Sequence, residues 1–296
     1  MQPIPLDLVH PTEPVHETVA AFLLPDVATL IDCGAAANLP SLEAELARHG
    51  TSIEDLDHLL LTHIHLDHAG AAGALAARNP DLQVWVHRVG ARHLIDPSRL
   101  IASTASVYGP DFEEIWGPIL PVPADRVHEI ADEVRLPVAG SPLAVPTPGH
   151  ARHQIAFLTD DGTLYAGDAA GAAWPPTPGY AEPACPPPDA DPPAWRRTFA
   201  RIAELAPERL AISHYGTIDD VPRHMAALEQ QLDLWLSRID LSEDEFAAAA
   251  QADRAAHCDP APLAQFWDYA SIERWCHAGL RHWRERAGAQ AREAQA

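Results

Sequence analysis

Positive charge is scarce in this chain of 296 residues. Its 20 Lys and Arg residues stand against 42 Asp and Glu residues, which gives a formal net charge of −22 at pH 7. No run of basic residues interrupts the excess of acid. Because such a surface repels phosphate backbones, we expect neither a nucleic acid nor an anionic membrane as the main partner.

Cysteine and long apolar runs are scarce as well. The four cysteines are scattered at Cys33, Cys185, Cys258 and Cys276 without C-x-x-C spacing, so neither a zinc ribbon nor a disulfide framework is indicated. No apolar run reaches the roughly 18 residues of a membrane-spanning helix. The first residues lack the basic start and the apolar stretch of a signal peptide. We therefore expect a cytoplasmic protein.

Length and composition are those of a globular protein with a sizeable core. Apolar residues make up 47% of the chain and charged residues 21%, close to the average for globular domains. At about 150 residues per domain, the length predicts two domains, or one large α/β unit with an appendage. Histidine is the compositional outlier, with 17 residues, several of them clustered.

Strand and helix signals alternate through most of the chain. Short β-branched runs predict strands, Pro40-Ser41 opens a helix with Ser41 as its N-cap, and Asp160-Asp161-Gly162 predicts a hairpin turn. The predicted strands include 18–24, 27–33, 57–62, 83–87, 154–159, 163–168 and 209–213, and a helix is predicted over 69–79. Residues 242–290 show helical patterns only. We therefore predict a layered α/β domain over 1–240 and a helical C-terminal extension over 241–296.

The strongest chemical signal is the segment Thr62-His-Ile-His-Leu-Asp-His68, which directly follows an apolar strand. In an extended chain, His63 and His65 point the same way and can share one ion. Asp67 and His68 follow where a helix begins. Four strong donors within six residues at a strand end predict a metal site.

Three more donors occur in similar contexts. His150 follows a Thr-Pro-Gly turn, Asp168 is predicted to end the strand TLYAGD, and His214 follows the strand RLAIS. Donors at the ends of strands are brought together in α/β folds. With the first cluster they make seven donors, enough for two ions.

These motifs together resemble those of the metallo-β-lactamase fold superfamily of binuclear metallohydrolases. The contexts THIHLDHAG, TPGHARH, YAGDA and ISHYG occur in the matching order, and LIDCG resembles the family's first-strand signature, in which Asp32 would support the ligands. The resemblance covers roughly residues 18–235. It implies a four-layer αββα sandwich, with the helical C-terminal extension outside the motifs.

The resemblance also implies how the donors are divided. His63, His65 and His150 would hold one metal, Asp67, His68 and His214 the other, and Asp168 would bridge both. Two divalent ions, most simply Zn²⁺ but with Fe or Mn also compatible with these ligands, would then clamp a bridging hydroxide. The implied partner is a small-molecule substrate: an ester, lactone, thioester or phosphodiester.

Three residues are predicted to take part in the chemistry. Asp67 would bind metal and accept a proton, and Asp168 would fix the distance between the metals. Acid help for the leaving group would come from metal-bound water or from a tyrosine, for which Tyr215 is the candidate. His153, three residues beyond His150, is expected to be supporting rather than ligating.

Other members of the superfamily leave alternatives open. Glyoxalase II-like thioesterases and lactonases share the seven donors, although Gly171 stands where many lactonases carry a tyrosine. A mononuclear iron oxidoreductase of the persulfide dioxygenase type uses the same fold with fewer donors. A catalytically silent, metal-stabilised binding protein is a further alternative.

Two segments outside the motifs are also candidates for function. The proline-rich stretch 175–193, flanked by Trp174 and containing Tyr180, is expected to form either a wall of the substrate pocket or a cover for a sheet edge. Apolar residues at helical spacing from Tyr269 to Trp283 predict an amphipathic helix. That helix would pack on the body, cap the pocket or form the contact of a homodimer.

Overall fold

Two six-stranded sheets form the centre of the protein in the computed structural model, which describes residues 3–12, 14–173, 179–259 and 272–293. The first sheet carries its strands in chain order, antiparallel from β1 to β3 and parallel from β3 to β6. These strands are β1 (Ile4–Asp7), β2 (Ala20–Leu24), β3 (Thr29–Ile31), β4 (His58–Leu60), β5 (Gln83–His87) and β6 (Val127–Ile130).

The second sheet is mainly antiparallel, with one parallel pair in the middle of its order. Its strands are β7 (Val134–Arg135), β8 (Leu143–Pro146), β9 (Ile155–Leu158), β10 (Thr163–Tyr165), β11 (Arg209–Ile212) and β12 (Gly216–Ile218). Strands β10 and β11 are parallel, so the chain must cross over between them. Helix α7 (Pro192–Leu205) lies in this crossover.

Helices cover the outer face of each sheet. Those that follow β3, β4 and β5 are α1 (Leu39–Arg48), α2 (Leu66–Ala69), α3 (Ala72–Arg78), α4 (Arg88–Ile95), α5 (Ser98–Tyr108) and α6 (Phe112–Trp116). On the second sheet, α7 is joined by α8 (Val221–Ser237). The predicted αββα sandwich is confirmed. None of the helices described is long and apolar enough to cross a membrane.

The inner faces of the sheets meet in an apolar core. Phe22, Ile31 and Leu60 of the first sheet share one buried cluster with Phe157 and Tyr165 of the second. The rings of Phe22 and Tyr165 meet edge to face at 5.5 Å between centroids, a contact that stabilises by about 0.5–1.5 kcal/mol beyond area burial. All five residues of β2 are buried, because helices and the opposite sheet cover both of its faces.

Within the described ranges, the sandwich is followed by the C-terminal helices α9 (Glu243–His257) and α10 (Ile272–Glu293). The predicted boundary at 240/241 falls between α8 and α9. The helices beyond it share a buried cluster with the body, in which Phe246 and Leu280 pack with Trp195 of α7 and Trp235 of α8. The extension is therefore packed on the second sheet's helical layer.

Three local predictions were wrong. Ser41 is not the N-cap of α1, which begins at Leu39; its hydroxyl instead accepts a hydrogen bond from Val9 N and donates one to Asp7 O, so it fastens the N-terminal segment. The helix predicted over 69–79 is present as α3, but its predicted start was wrong, because Ala69 ends α2 and α3 begins at Ala72. Strand β10 ends at Tyr165, and Asp168 lies beyond it in a 3₁₀ turn (Gly167–Ala170) that starts at a glycine with φ of 50°.

Candidate metal centre

The predicted donors lie at one end of the sandwich. In parallel strands the carboxyl ends meet at the same edge, so β3 and β4 bring Asp32 beside Thr62, and β10 and β11 bring Asp168 toward His214. Two backbone hydrogen bonds join the sheets at this end, from Ile155 N to Thr62 O at 2.7 Å and from Ala20 N to Ser213 O at 2.8 Å.

Three histidine nitrogens converge on one point. His63 Nε2 lies 3.0 Å from His65 Nδ1, and His150 Nε2 lies 3.2 Å and 2.8 Å from those two atoms. Ligands of a tetrahedral Zn²⁺ at 2.0–2.1 Å are about 3.3 Å from one another. The three nitrogens are therefore spaced for one ion; we call them the three-histidine group.

A second group of donors adjoins the first. Asp67 Oδ2 lies 3.5 Å from His68 Nε2 and 3.3 Å from His214 Nε2. The carboxylate of Asp168 stands between the groups: its Oδ1 is 3.3 Å from His68 Nε2, and its Oδ2 is 3.5 Å from His150 Nε2. Each oxygen of Asp168 thus faces a different group.

In two of the histidines, the hydrogen bond made by the ring nitrogen that faces away from the centre determines which nitrogen is free to bind a metal. His150 Nδ1 donates to Ala184 O at 2.8 Å, and His214 Nδ1 donates to Thr18 O at 2.7 Å. A carbonyl only accepts, so Nδ1 carries the proton and Nε2 presents its lone pair to the centre. His63 Nδ1 similarly lies 3.1 Å from the hydroxyl of Thr62, whose own proton goes to Asp32.

These donors fit a cation because a buried ring nitrogen and a buried carboxylate oxygen face one another without a hydrogen bond between them. His68 Nε2 and Asp168 Oδ1 are buried, yet neither makes a hydrogen bond of acceptable geometry with any residue in the described ranges. Buried polar atoms are rarely left in that condition. A metal ion is the partner that would satisfy both.

The two groups differ in charge. Burial, reinforced by the neighbouring His150 ring, lowers the pKa of His65 to about 3, and burial likewise lowers the pKa of His63 and His150. Burial alone would also lower the pKa of His68, but the surrounding carboxylates, Asp168 foremost, raise it to about 10. The three-histidine group is therefore neutral at pH 7, and anionic donors are concentrated in the other group.

Asp32 supports the centre from behind. Its carboxylate accepts hydrogen bonds from His68 Nδ1 at 2.8 Å, from Thr62 N at 2.8 Å and from the hydroxyls of Thr62 and Ser213 at 2.8 Å and 3.1 Å. Ser213 directly follows β11 of the second sheet, so this one buried carboxylate joins both sheets and orients His68, one of the predicted ligands. Its φ of 56° is a conformation that Asp and Asn tolerate better than most residues.

Two of the predicted ligands follow a glycine that is closely packed against neighbouring residues. Gly149 precedes His150, and a Cβ there would lie 2.4 Å from Trp195 Cβ. Gly167 precedes Asp168, and its Cβ would lie 2.6 Å from the Thr62 hydroxyl oxygen. Neither position admits a Cβ unless the backbone or these neighbours shift.

A comparison with known protein families decides the assignment. The family model described as the metallo-beta-lactamase superfamily matches residues 18–214. The chain belongs to this superfamily.

Relatives within the superfamily are distant. The metallo-beta-lactamase fold-containing protein ST1585 of Sulfurisphaera tokodaii is 29% identical over 175 residues, which are 56% of this chain and 63% of that protein. A hydroxyacylglutathione hydrolase of Shewanella oneidensis is 32% identical over 111 residues, 37% of this chain and 33% of the enzyme. The chain thus spans less than two thirds of the length of these curated relatives.

Solved structures of the superfamily share the fold. The crystal structure of ST1585 superimposes with a TM-score of 0.67 at 24% identity, covering 96% of this chain and 98% of that one. The superfamily protein TTHA1429 of Thermus thermophilus gives a TM-score of 0.58 at 25% identity, covering 80% and 81%.

The structure brings together all seven donors that the superfamily motifs predicted. Tyr215, the predicted acid, is half-buried among apolar neighbours, and burial together with Asp7, Glu17 and Glu45 raises its pKa. The charges that act on the Tyr215 hydroxyl therefore come from residues outside the seven donors.

His153 lies beside the donors, with its ring 5.5 Å from that of His65 and its Nε2 3.6 Å from Asp189 Oδ2. Of the two aromatic residues singled out in the proline-rich stretch, Trp174 lies outside the described residues. Tyr180 is buried, and its hydroxyl donates to Glu182.

Sequence reasoning missed the backbone oxygens of Thr18 and Ala184 that orient His214 and His150, two of the predicted ligands. Every residue carries such an oxygen, so no sequence signal could have found them. It also missed a buried ionic cluster on the C-terminal side, Arg254 with Glu182 and Glu273. An arginine in a helix that is otherwise rich in alanine was the available signal.

Proposed function

We propose that the protein is a binuclear metal-dependent hydrolase acting on a small ester, lactone, thioester or phosphodiester. The observation that carries this proposal is the position of Asp168, whose two carboxylate oxygens face two separate groups of donors. A carboxylate placed in this way fits a bridge between two ions better than a ligand of one.

Membership in the superfamily supports hydrolysis. Within it, the similarity to a hydroxyacylglutathione hydrolase supports an acyl-transfer reaction to water, and so favours thioesters and esters among the four substrate classes. Zinc is the simplest occupant, since five imidazoles and two carboxylates are ligands that it accepts readily, although iron and manganese accept them too.

The chain's own residues would divide the work as follows. His63, His65 and His150 would hold one ion, and Asp67, His68 and His214 the other, with Asp168 between them. When bound, the two ions supply Lewis acidity, both to polarise the scissile group and to lower the pKa of water.

Of the two donor carboxylates, that of Asp67 is the more accessible to solvent, with 30% of its side chain exposed against 4% for Asp168. It is therefore the residue placed to accept a proton and pass it to solvent. The carbonyls of Thr18 and Ala184 keep His214 and His150 in the tautomers that coordinate. Tyr215 remains the proposed proton donor to the leaving group; its raised pKa keeps the hydroxyl protonated at neutral pH.

The decisive experiment combines metal analysis with a substrate panel. Purified protein is analysed for metal per chain and then assayed on esters, lactones, thioesters and phosphodiesters. We expect two ions per chain and turnover in at least one class. Asp168→Ala should lose both activity and metal, whereas Asp160→Ala, an exposed acid in the β9–β10 turn, should retain both.

Two results would refute the proposal. A single iron per chain with oxygen consumption on a sulfur substrate would assign the protein to oxidative chemistry instead. An Asp168→Ala variant with undiminished metal content and turnover would remove the bridging role.

A further inference from the structure

The segment Tyr180–Cys185, which we call the strap, touches the metal centre through a backbone atom. The carbonyl oxygen of Ala184 accepts the Nδ1 proton of His150 at 2.8 Å. This bond fixes both the ring orientation and the tautomer of His150, so that Nε2 points at the three-histidine group. Where the strap lies therefore decides how well His150 can coordinate.

The strap has little regular structure of its own to hold it there. On one side it pairs with the chain just beyond Asp168, through hydrogen bonds between Glu182 and Ala172 at 2.7 Å and 2.9 Å. Pro183 has no N–H to donate. Ala181 and Cys185 of the strap also pack in the buried cluster with α7 and α8, and polar contacts reach the strap from α9 and α10.

Helix α9 holds the strap by a buried ionic cluster. Arg254 donates from Nε and Nη2 to the two oxygens of Glu182, at 2.9 Å and 2.8 Å, and from Nη1 to Glu273 at 2.6 Å. The hydroxyl of Tyr180 completes the shell of Glu182 at 2.5 Å. All three charged residues are at most 2% exposed. Because this bidentate ion pair is buried, any shift of the strap would separate two charges in a place without water, which is energetically costly. The pair therefore fixes the position of the strap.

Helix α10 holds the strap by close approach. Cys276 Sγ accepts the backbone N–H of Cys185 at 3.2 Å. One turn further, Gly279 lies so near that a Cβ there would stand 1.9 Å from Cys185 O. Glu273, Cys276 and Gly279 recur at intervals of three and so form one face of the helix, which lies against the strap.

We propose that Arg254 and Cys276 are positioning residues for the metal ligand His150, acting through the strap and the carbonyl of Ala184. The C-terminal helices are then a working part of the three-histidine group rather than an appendage. This inference rests on the proposed metal centre, but its first readout needs no metal.

The first measurement is the tautomer of His150 in metal-free protein, read from long-range ¹H–¹⁵N correlations of the imidazole rings. Wild type should show His150 as a single Nδ1–H tautomer. In Arg254→Met the strap is released, and the Nε2–H form should become populated. The matched control is Arg274→Met, which also breaks ion pairs between α9 and α10 but on their exposed side; it should match wild type.

The second measurement is the Zn²⁺ affinity of each donor group, by competition with a chelator. Losing a partner that orients a ligating histidine typically weakens metal binding by about 10- to 100-fold. We expect a loss of this size in Arg254→Met at the three-histidine group, with the Asp67/His68/His214 group changed about threefold or less.

A second pair of variants keeps the test open if Arg254→Met does not fold. Cys276→Ala removes the acceptor for Cys185 N–H, and Cys276→Ser restores one. The alanine variant should reproduce the tautomer shift and the selective loss of affinity, and the serine variant should reverse both.

The inference is overturned if the His150 tautomer stays unchanged in folded Arg254→Met or Cys276→Ala, or if both donor groups weaken equally. Failure of the proposed function looks different: wild type would then bind no metal, while the tautomer measurement would still report on the strap.

Discussion

Replacing Asp32 by Asn tests how the carboxylate behind the metal centre prepares a ligand. Asn has the same shape and accepts the residue's φ of 56°, so the backbone is not strained. What changes is that one oxygen becomes an NH₂ group. That group must face either Thr62 N–H or His68 Nδ1, each 2.8 Å from the carboxylate.

Only one of these orientations is tolerable. Facing the Thr62 amide, the NH₂ would oppose a backbone donor that has no alternative. Facing His68, it opposes a ring that can change its tautomer. In the neutral ring that metal binding requires, His68 Nδ1 would then be the acceptor and Nε2 would carry the proton. Nε2 is the atom that lies 3.3 Å from Asp168 Oδ1, so the proton would occupy the metal's position.

The expected magnitudes follow from this exchange. All four hydrogen bonds to the carboxylate lose their charge assistance, and His68 and Ser213 must change from donors to acceptors, which lowers the free energy of unfolding by roughly 1–3 kcal/mol. Affinity of the Asp67/His68/His214 group for Zn²⁺ should fall about 10- to 100-fold, or about 1.4–2.7 kcal/mol.

The assay is chelator competition, paired with thermal unfolding of the metal-free protein. Asp57→Asn, at the exposed opposite end of β4, is the control and should change neither quantity. Ser213→Ala removes a single donor to Asp32 and should fall between wild type and Asp32→Asn. If Asp32→Asn binds Zn²⁺ as tightly as wild type, the tautomer argument is wrong.

Three further outcomes are expected. Gly149→Ala forces a Cβ against Trp195 and should displace His150, with a stability loss of about 1–3 kcal/mol and weaker metal binding in the same titration; an unchanged melting temperature would show that the turn yields freely. Stripping the metal with a chelator should lower the melting temperature, because an ion at 100 times its Kd stabilises by about 2.7 kcal/mol; readdition of Zn²⁺ must restore it. Hydrogen bonds from Ser242 lower the pKa of Glu245, so this residue stabilises α9 above its ordinary pKa of about 4.3 and the benefit is lost as the pH falls through the lower folded value. The gap in melting temperature between wild type and Glu245→Gln should therefore be present at pH 7 and close in acid, and a gap that persists at low pH would contradict the cap.

Most donors of the candidate metal centre could be predicted from short stretches of sequence. His63, His65, Asp67 and His68 form one local motif, and His150, Asp168 and His214 each follow a recognisable strand, so residue type and context sufficed to name them. The alternation of strand and helix signals predicted a layered α/β body, and the resemblance to the superfamily supplied the αββα order of the layers. The predictions failed where a local signal had a tertiary competitor: the hydroxyl of Ser41 serves the N-terminal segment rather than the helix end.

What only the tertiary structure decided is how the ligands are held. Asp32 and Ser213 are 181 residues apart, and His150 and Ala184 are 34 apart; their pairing depends on which strand lies beside which. Backbone carbonyls at Thr18 and Ala184 fix two histidine tautomers, and the chain has such an oxygen at every position. The donors are specified by side-chain identity, which can be read directly from the sequence. Their orientation depends on the packing of distant segments, including α9 and α10, and exists only once the chain has folded.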